Sequence, residues 1–321
     1  MKKFMKVCGI MALIFLMLGI VFAVAAGTAK GRMKINQVLE TVTGGRVTAD
    51  FDSFMNWGLR FRDNVSDSLP ELDYDIDEAG SMNPDYSIMR GDIDKFRLGE
   101  DVKRLEVEAG GCRFSIRASG DGSFYAEASA VGKFQAYLEN GTLYVRSTTS
   151  SRQWNSWNNV KVTLYVPEEY HYEDVNIDLG AGSMEFEGMD ADRISLGVGA
   201  GQITATGLKT ADLKTGVGAG RIELRDVDAG NLKVEVGMGE ISAEGNISGS
   251  AEVSCAMGNV ELMLAGSQND FNYQIVGALG NIDLGQEHYS GLAMSKEIDN
   301  GSARDMKVEC EAGNITIRFT E

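Results

Sequence analysis

Gly182, Gly201, Gly220, Gly239 and Gly258 fall at an unbroken spacing of 19 residues, and Gly280 and Gly313 continue the series after insertions. The text around each recurs. Gly-Ala-Gly-Ser-Met at 180–184 becomes Gly-Ala-Gly-Gln-Ile at 199–203, Gly-Ala-Gly-Arg-Ile at 218–222 and Gly-Met-Gly-Glu-Ile at 237–241. Ala-Met-Gly-Asn-Val, Ala-Leu-Gly-Asn-Ile and Glu-Ala-Gly-Asn-Ile follow at 256–260, 278–282 and 311–315. A fixed period of this kind dictates architecture before any single element is considered. Each unit is one supersecondary piece that cannot bury its apolar face alone, whereas stacked copies share a continuous core.

Within a unit the apolar period is two. Val175-x-Ile177-x-Leu179, Ile194-x-Leu196-x-Val198, Leu213-x-Thr215-x-Val217 and Leu232-x-Val234-x-Val236 precede the glycines. Met184-x-Phe186, Ile203-x-Ala205, Ile222-x-Leu224, Ile241-x-Ala243 and Val260-x-Leu262 follow them. Alternation of this kind turns one face of each strand into a core. Each unit is therefore expected to hold two short strands and a corner, with Gly where the chain bends sharply. A stack of antiparallel hairpins would give similar strand text. The constant spacing, with equivalent residues in every unit, favours an all-β parallel β-solenoid of ~19-residue coils, stacked monotonically through 175–265 at ~4.8 Å per coil.

Residues 102–166 use the same grammar with a looser period. Leu105-x-Val107 precedes Gly110 and Cys112-x-Phe114-x-Ile116 follows it, which sets Cys112 where Ile203 and Ile222 sit. Asn140-Gly141 between two apolar runs signals a tight hairpin. Val160 to Val166 reads as a strand ended by Pro167. This part is taken as the divergent opening of the array. From Val-Thr-Leu-Tyr-Val-Pro at 162–167 through the Gly-x-Gly-x-Ile strand pairs, residues 102–321 resemble the putative-adhesin family, a β-strand-repeat domain of bacterial envelope proteins. The resemblance implies a surface-associated, non-catalytic role in adhesion, envelope interaction or stress response. It supplies no ligand and no residue set to carry over.

The first third of the chain concerns address. Residues 1–6 carry Lys2, Lys3 and Lys6, and residues 7–26 are an uncharged apolar run long enough to span a hydrocarbon core as a helix. That length favours a retained single-pass membrane anchor, with the remainder extracytoplasmic. Ala23-Val24-Ala25 offers a cleavage site if the run is instead a signal peptide, and the product is then secreted. Residues 27–101 form a juxtamembrane segment and an acidic spacer, with Asp67, Glu71, Asp73, Asp75, Asp77 and Glu78 among its charges. Asp73 to Pro84 fails as an EF-hand loop, because Glu78 and Pro84 occupy the positions that need Gly and Glu.

Composition and motifs then remove several function classes. With 30 Lys+Arg against 47 Asp+Glu the net charge is −17, which argues against a nucleic-acid partner. Two His leave no basis for a multi-histidine metal site, and no cofactor is expected. Gly197-x-Gly199-x-Gly201 has the wrong spacing and context for a dinucleotide loop. Cys112, Cys255 and Cys310 read as small buried hydrophobes. Two coil steps between Cys255 and Cys310 would mean ~9.6 Å, beyond the ~7 Å that a disulfide spans between Cα atoms.

Trp154, Trp157, Tyr170, His171 and Tyr172 form the densest aromatic patch, where rings and amides could take a glycan. The same residues would also serve as a cap over the open end of the stack, and that reading is favoured. The chain is therefore read as a membrane-anchored interaction module, not an enzyme, with an envelope protein or glycan as partner. A carbohydrate-active solenoid using paired surface carboxylates is the alternative. Glu185, Glu223, Asp226, Asp228, Glu235, Glu240 and Glu261 are raw material for such pairs.

Overall fold

The computed structural model describes residues 102–129, 133–148, 160–291 and 293–320. The expected span at 7–26, the segment at 27–101, and Trp154 and Trp157 lie outside the described residues. Among the described residues the fold is all-β, with no α-helix and one 3-10 turn at Gln268–Asp270.

Two parallel layers enclose the core. The first runs β5 (Thr142–Thr148), β1 (Arg104–Ala109), β7 (His171–Leu179), then the C-terminal halves of β8 (Gly182–Val198), β9 (Gln202–Val217) and β10 (Arg221–Val236). It continues through β12 (Ala251–Cys255), β18 (Asp305–Cys310) and β14 (Asn272–Gly277). The second runs β6 (Lys161–Pro167), β2 (Cys112–Ser119), the N-terminal halves of β8, β9 and β10, then β11 (Glu240–Ile247), β13 (Asn259–Ala265), β19 (Asn314–Thr320) and β15 (Asn281–Leu284).

The register follows directly from the period. Ile203 pairs with Met184 and Ile222, and Val198 with Leu179 and Val217, so identical positions stand over one another. The columns Met184–Ile203–Ile222–Ile241–Val260 and Leu179–Val198–Val217–Val236 are all buried. Each fully buried aliphatic side chain of this kind contributes roughly 1.5–3 kcal/mol of transfer free energy. Through 175–265 the stack is monotonic and parallel, as the spacing predicts.

The ends depart from sequence order. At the N-terminal end the coil of β1 and β2 is second in the stack, and β5 and β6 lie outside it. At the other end β18 and β19, last in the chain, are inserted between β12 and β13 on one side and β14 and β15 on the other. The segment 102–166 is thus not a simple first layer, and sequence order gives no clue to which coil is outermost. Both ends are then closed by antiparallel strands. β4 (Lys133–Glu139) pairs with β5 and β3 (Tyr125–Ser129) with β6; β17 (Met294–Ile298) pairs with β14 and β16 (Glu287–Ser290) with β15. These strands occupy backbone donors and acceptors that would otherwise invite edge-to-edge association. The β4–β5 hairpin turns at Asn140 and Gly141 with φ of 50° and 74°, the conformation that Asn-Gly favours.

Two local readings change. The repeat glycines do not serve mainly to bend the chain, since among them only Gly182 has a positive φ, at 102°. They are needed because consecutive corners approach closely: a Cβ on Gly201 would stand 2.7 Å from the Gly182 carbonyl oxygen. The sharply turned positions form a separate series at Gly188, Gly207 and Asp226, with φ of 67°, 70° and 52°. Cys112 pairs with Gly182, so Phe114 rather than Cys112 occupies the Ile203 column. Gly110 and Gly111 both precede the strand, and aligning on the first shifts the text by two.

Candidate interaction surface

The corner between the layers is built around the residue that precedes each repeat glycine. The Ala200 amide donates to the Gly180 carbonyl at 2.8 Å, Ala219 to Gly199 at 2.7 Å, Met238 to Gly218 at 2.7 Å and Met257 to Gly237 at 2.8 Å. Ala312 donates to Ala256 at 2.7 Å and Leu279 to Glu311 at 2.5 Å. The backbone is satisfied coil to coil, which leaves the side chains pointing outward. Ala200, Ala219, Met238, Met257, Ala312 and Leu279 form an exposed apolar ridge along the stack. Met238 is 48%, Met257 40% and Leu279 54% exposed. These are the exposed large hydrophobic residues of the described chain.

Beside the ridge lies an open groove of about 720 Å³. Gly201, Gly220, Gly239 and Gly258 line it without side chains, and Gln202, Arg221, Glu240, Asn259 and Asn314 form its far wall. That wall is internally bonded: Arg221 and Glu240 pair at 2.7 Å, and the Asn281 amide donates to Asn314 at 2.9 Å. A second hollow of about 580 Å³ lies over the outer face of the first layer, lined by residues including Asp212, Lys214, Asn231, Lys233, Glu252 and Lys307. Its charges neutralise one another, with Lys233 3.4 Å and Lys307 3.9 Å from Glu252. The ridge instead presents apolar surface that nothing among the described residues covers. The Met, Met and Leu at the centres of their triplets were visible in the repeat text, but attention to the glycines alone passes over them.

Of the aromatic patch, the described residues Tyr170, His171 and Tyr172 divide between two faces at the start of β7. Tyr172 is 2% exposed and packs against Phe124, and burial pushes its phenol above the usual range. Tyr170 sits edge-on to Phe124 at 5.1 Å between ring centroids and donates to the Val102 carbonyl at 2.9 Å. Both are part of the packing at this end of the stack. His171, one residue along the strand, faces solvent instead. Its Nδ1 lies 2.7 Å from Asp190 and its Nε2 3.4 Å from Asp192. The Asp190 hydrogen bond, joined by the charges of both carboxylates, holds the imidazole above its ordinary value.

The acidic residues offer little pairing. Glu185, Glu223 and Glu261 share one column but alternate with Thr204 and Ser242. Glu223 is bound to Arg225, and Glu261 to Arg318 at 2.8 Å. Glu106 and Glu108 form one carboxylate pair, where burial raises Glu108 and Arg146 lies 3.5 and 3.3 Å from the two. The arginine compensates the buried charge, an arrangement that serves packing. Among the described residues no group of three or more His, Cys, Asp or Glu could hold a metal ion, and no helix is long and apolar enough to cross a membrane.

The chain is similar to several solved structures, all at low identity. A putative adhesin from Bacteroides fragilis is 13% identical with a TM-score of 0.36, covering 68% of this chain and 92% of its own. A putative cell adhesion protein from Clostridium sporogenes is 11% identical, TM-score 0.27, covering 70% and 98%. A putative lipid binding protein from Parabacteroides distasonis is 13% identical, TM-score 0.33, covering 70% and 94%. No curated protein matches. The resemblance read from the strand repeats is matched by a family description over residues 102–318, and on that match the chain belongs to the Toastrack DUF4097 family.

Proposed function

We propose that the chain is a membrane-anchored, extracytoplasmic interaction module that binds an envelope protein along the apolar corner of its β-solenoid and carries out no catalysis. Residues 7–26 would hold it in the membrane, and the acidic stretch before residue 102 would carry the domain away from the surface. One observation carries the reading: Met238 and Met257 stand exposed on consecutive coils, and Leu279 two coils beyond Met257, along a backbone-bonded edge next to a glycine floor. Aliphatic side chains spaced at the strand repeat suit a partner that lays its own apolar side chains across them, and methionine adapts to such contacts. A glycan partner would instead draw on Trp154, Trp157 and His171.

The test is binding of the purified full-length chain, kept in detergent, to detergent-solubilised envelope proteins and, separately, to cell-wall glycan. The double substitution Met238→Glu and Met257→Glu should weaken binding to the envelope proteins roughly tenfold or more. Its melting temperature should stay unchanged, because both side chains are exposed. Trp154→Ala with Trp157→Ala should leave that binding intact. Retention by glycan alone, lost in the tryptophan variant, would overturn the protein-partner reading.

A further inference from the structure

Cys255 and Cys310 end neighbouring strands β12 and β18 and are direct register partners. The exchange of the last two coils brings this about. The strand next after β12 in the first layer's sequence order is β14, yet β14 lies on the far side of β18. The two cysteines are therefore one strand spacing apart, ~4.8 Å, which falls within the 4.4–6.8 Å Cα range of a disulfide. Both side chains are buried. Both are reduced in this structure. The positions of the sulfurs are readable from the corner glycines. The Cys255 sulfur lies under Gly313, toward the coil that holds Cys310, and the Cys310 sulfur lies under Gly280, away from Cys255. Closing the pair requires Cys310 to turn its sulfur back toward Cys255.

We propose that Cys255 and Cys310 form a disulfide that fastens the exchanged C-terminal coil into the stack. The oxidant is an organic disulfide, either small-molecule or protein-borne. One thiolate attacks it and releases the first thiol, leaving a mixed disulfide. The second cysteine then displaces the remaining thiol, so one disulfide is consumed, one is formed, and both cysteine protons leave on the two released thiols. The bond closes a long loop containing β13 to β17 and holds β18 against β12, so the last coil cannot leave its slot between older neighbours. This inference stands on the register alone and is independent of the proposed partner.

The test is to unfold and reduce the full-length chain, then refold it with oxidised glutathione. Free thiols are alkylated after denaturation and the protein is digested without reduction. The expected product is one cross-linked peptide pair carrying Cys255 and Cys310, with Cys8 and Cys112 alkylated. The oxidised protein should melt roughly 5–10 °C above the reduced form. Cys255→Ser or Cys310→Ser should abolish that difference, whereas Cys112→Ser should keep it. Alkylation of both Cys255 and Cys310 after oxidation, or pairing of either with another cysteine, would overturn the proposal. The peptide analysis uses the parent chain and holds even where a variant fails to fold.

Discussion

A Cβ placed on Gly201 would stand 2.7 Å from the carbonyl oxygen of Gly182, one coil away, and the same crowding recurs up the corner. The 19-residue period is thus enforced by contact between backbones. Side-chain packing in the core sets the register, and the corner forbids a side chain where the coils touch.

Two glycines from neighbouring copies of the repeat should accordingly behave oppositely. Gly201→Ala drives a methyl group into backbone that cannot give, and should cost about 3 kcal/mol. Gly216→Ala meets nothing within 4 Å and lies outside the positive-φ positions. It should be neutral or stabilising by about 0.4–1 kcal/mol, through a less flexible unfolded chain. Chemical denaturation of both variants checks the contrast, and equal losses would show that the glycines are set by something other than coil contact.

Thr215 interrupts an otherwise apolar column between Leu196 and Val234 and is 0% exposed. Its hydroxyl donates to the Lys233 carbonyl at a long 3.4 Å. So weak a bond recovers little of the cost of burying a hydroxyl. Thr215→Val should raise stability by about 1 kcal/mol, read as a higher denaturant midpoint with an unchanged slope. A lower midpoint would mean that the Lys233 bond outweighs the burial.

His171 offers a test by titration. Its folded-state value is raised from 6.5 by Asp190 first and Asp192 second. A raised imidazole stabilises the fold fully below its unfolded value, and the contribution is lost as pH rises through the folded one. NMR titration should place the His171 midpoint above 6.5, and Asp190→Asn should bring it down. The stability change over that window should be slight, because the pair is exposed. A midpoint insensitive to Asp190→Asn would contradict the assigned cause.

Much of the layered core was legible because the columns of Ile203, Ile222 and Ile241 repeat in both spacing and chemistry. The chain ends were not. Nothing in the text of 102–119 or 305–320 states that a neighbouring coil lies outside it, since parallel pairing looks the same on either edge of a strand. The Cys255–Cys310 separation was misjudged for that reason. Within 170–172 strand alternation sends Tyr172 inward and His171 outward, a division that composition conceals. The ridge of Met238, Met257 and Leu279 was written in the triplets themselves, and only stacking shows that they share one exposed edge.

The central claim is that this edge is the binding surface, and site-specific photo-crosslinking in intact cells tests it most directly. A photoreactive amino acid would replace Met238, Met257 or Leu279 on the ridge, or Ser195 or Lys214 on the outer face of the first layer. The account predicts discrete crosslinks to an envelope protein from the three ridge positions and none from the two face positions. Crosslinks from Ser195 and Lys214 with a silent ridge would contradict it.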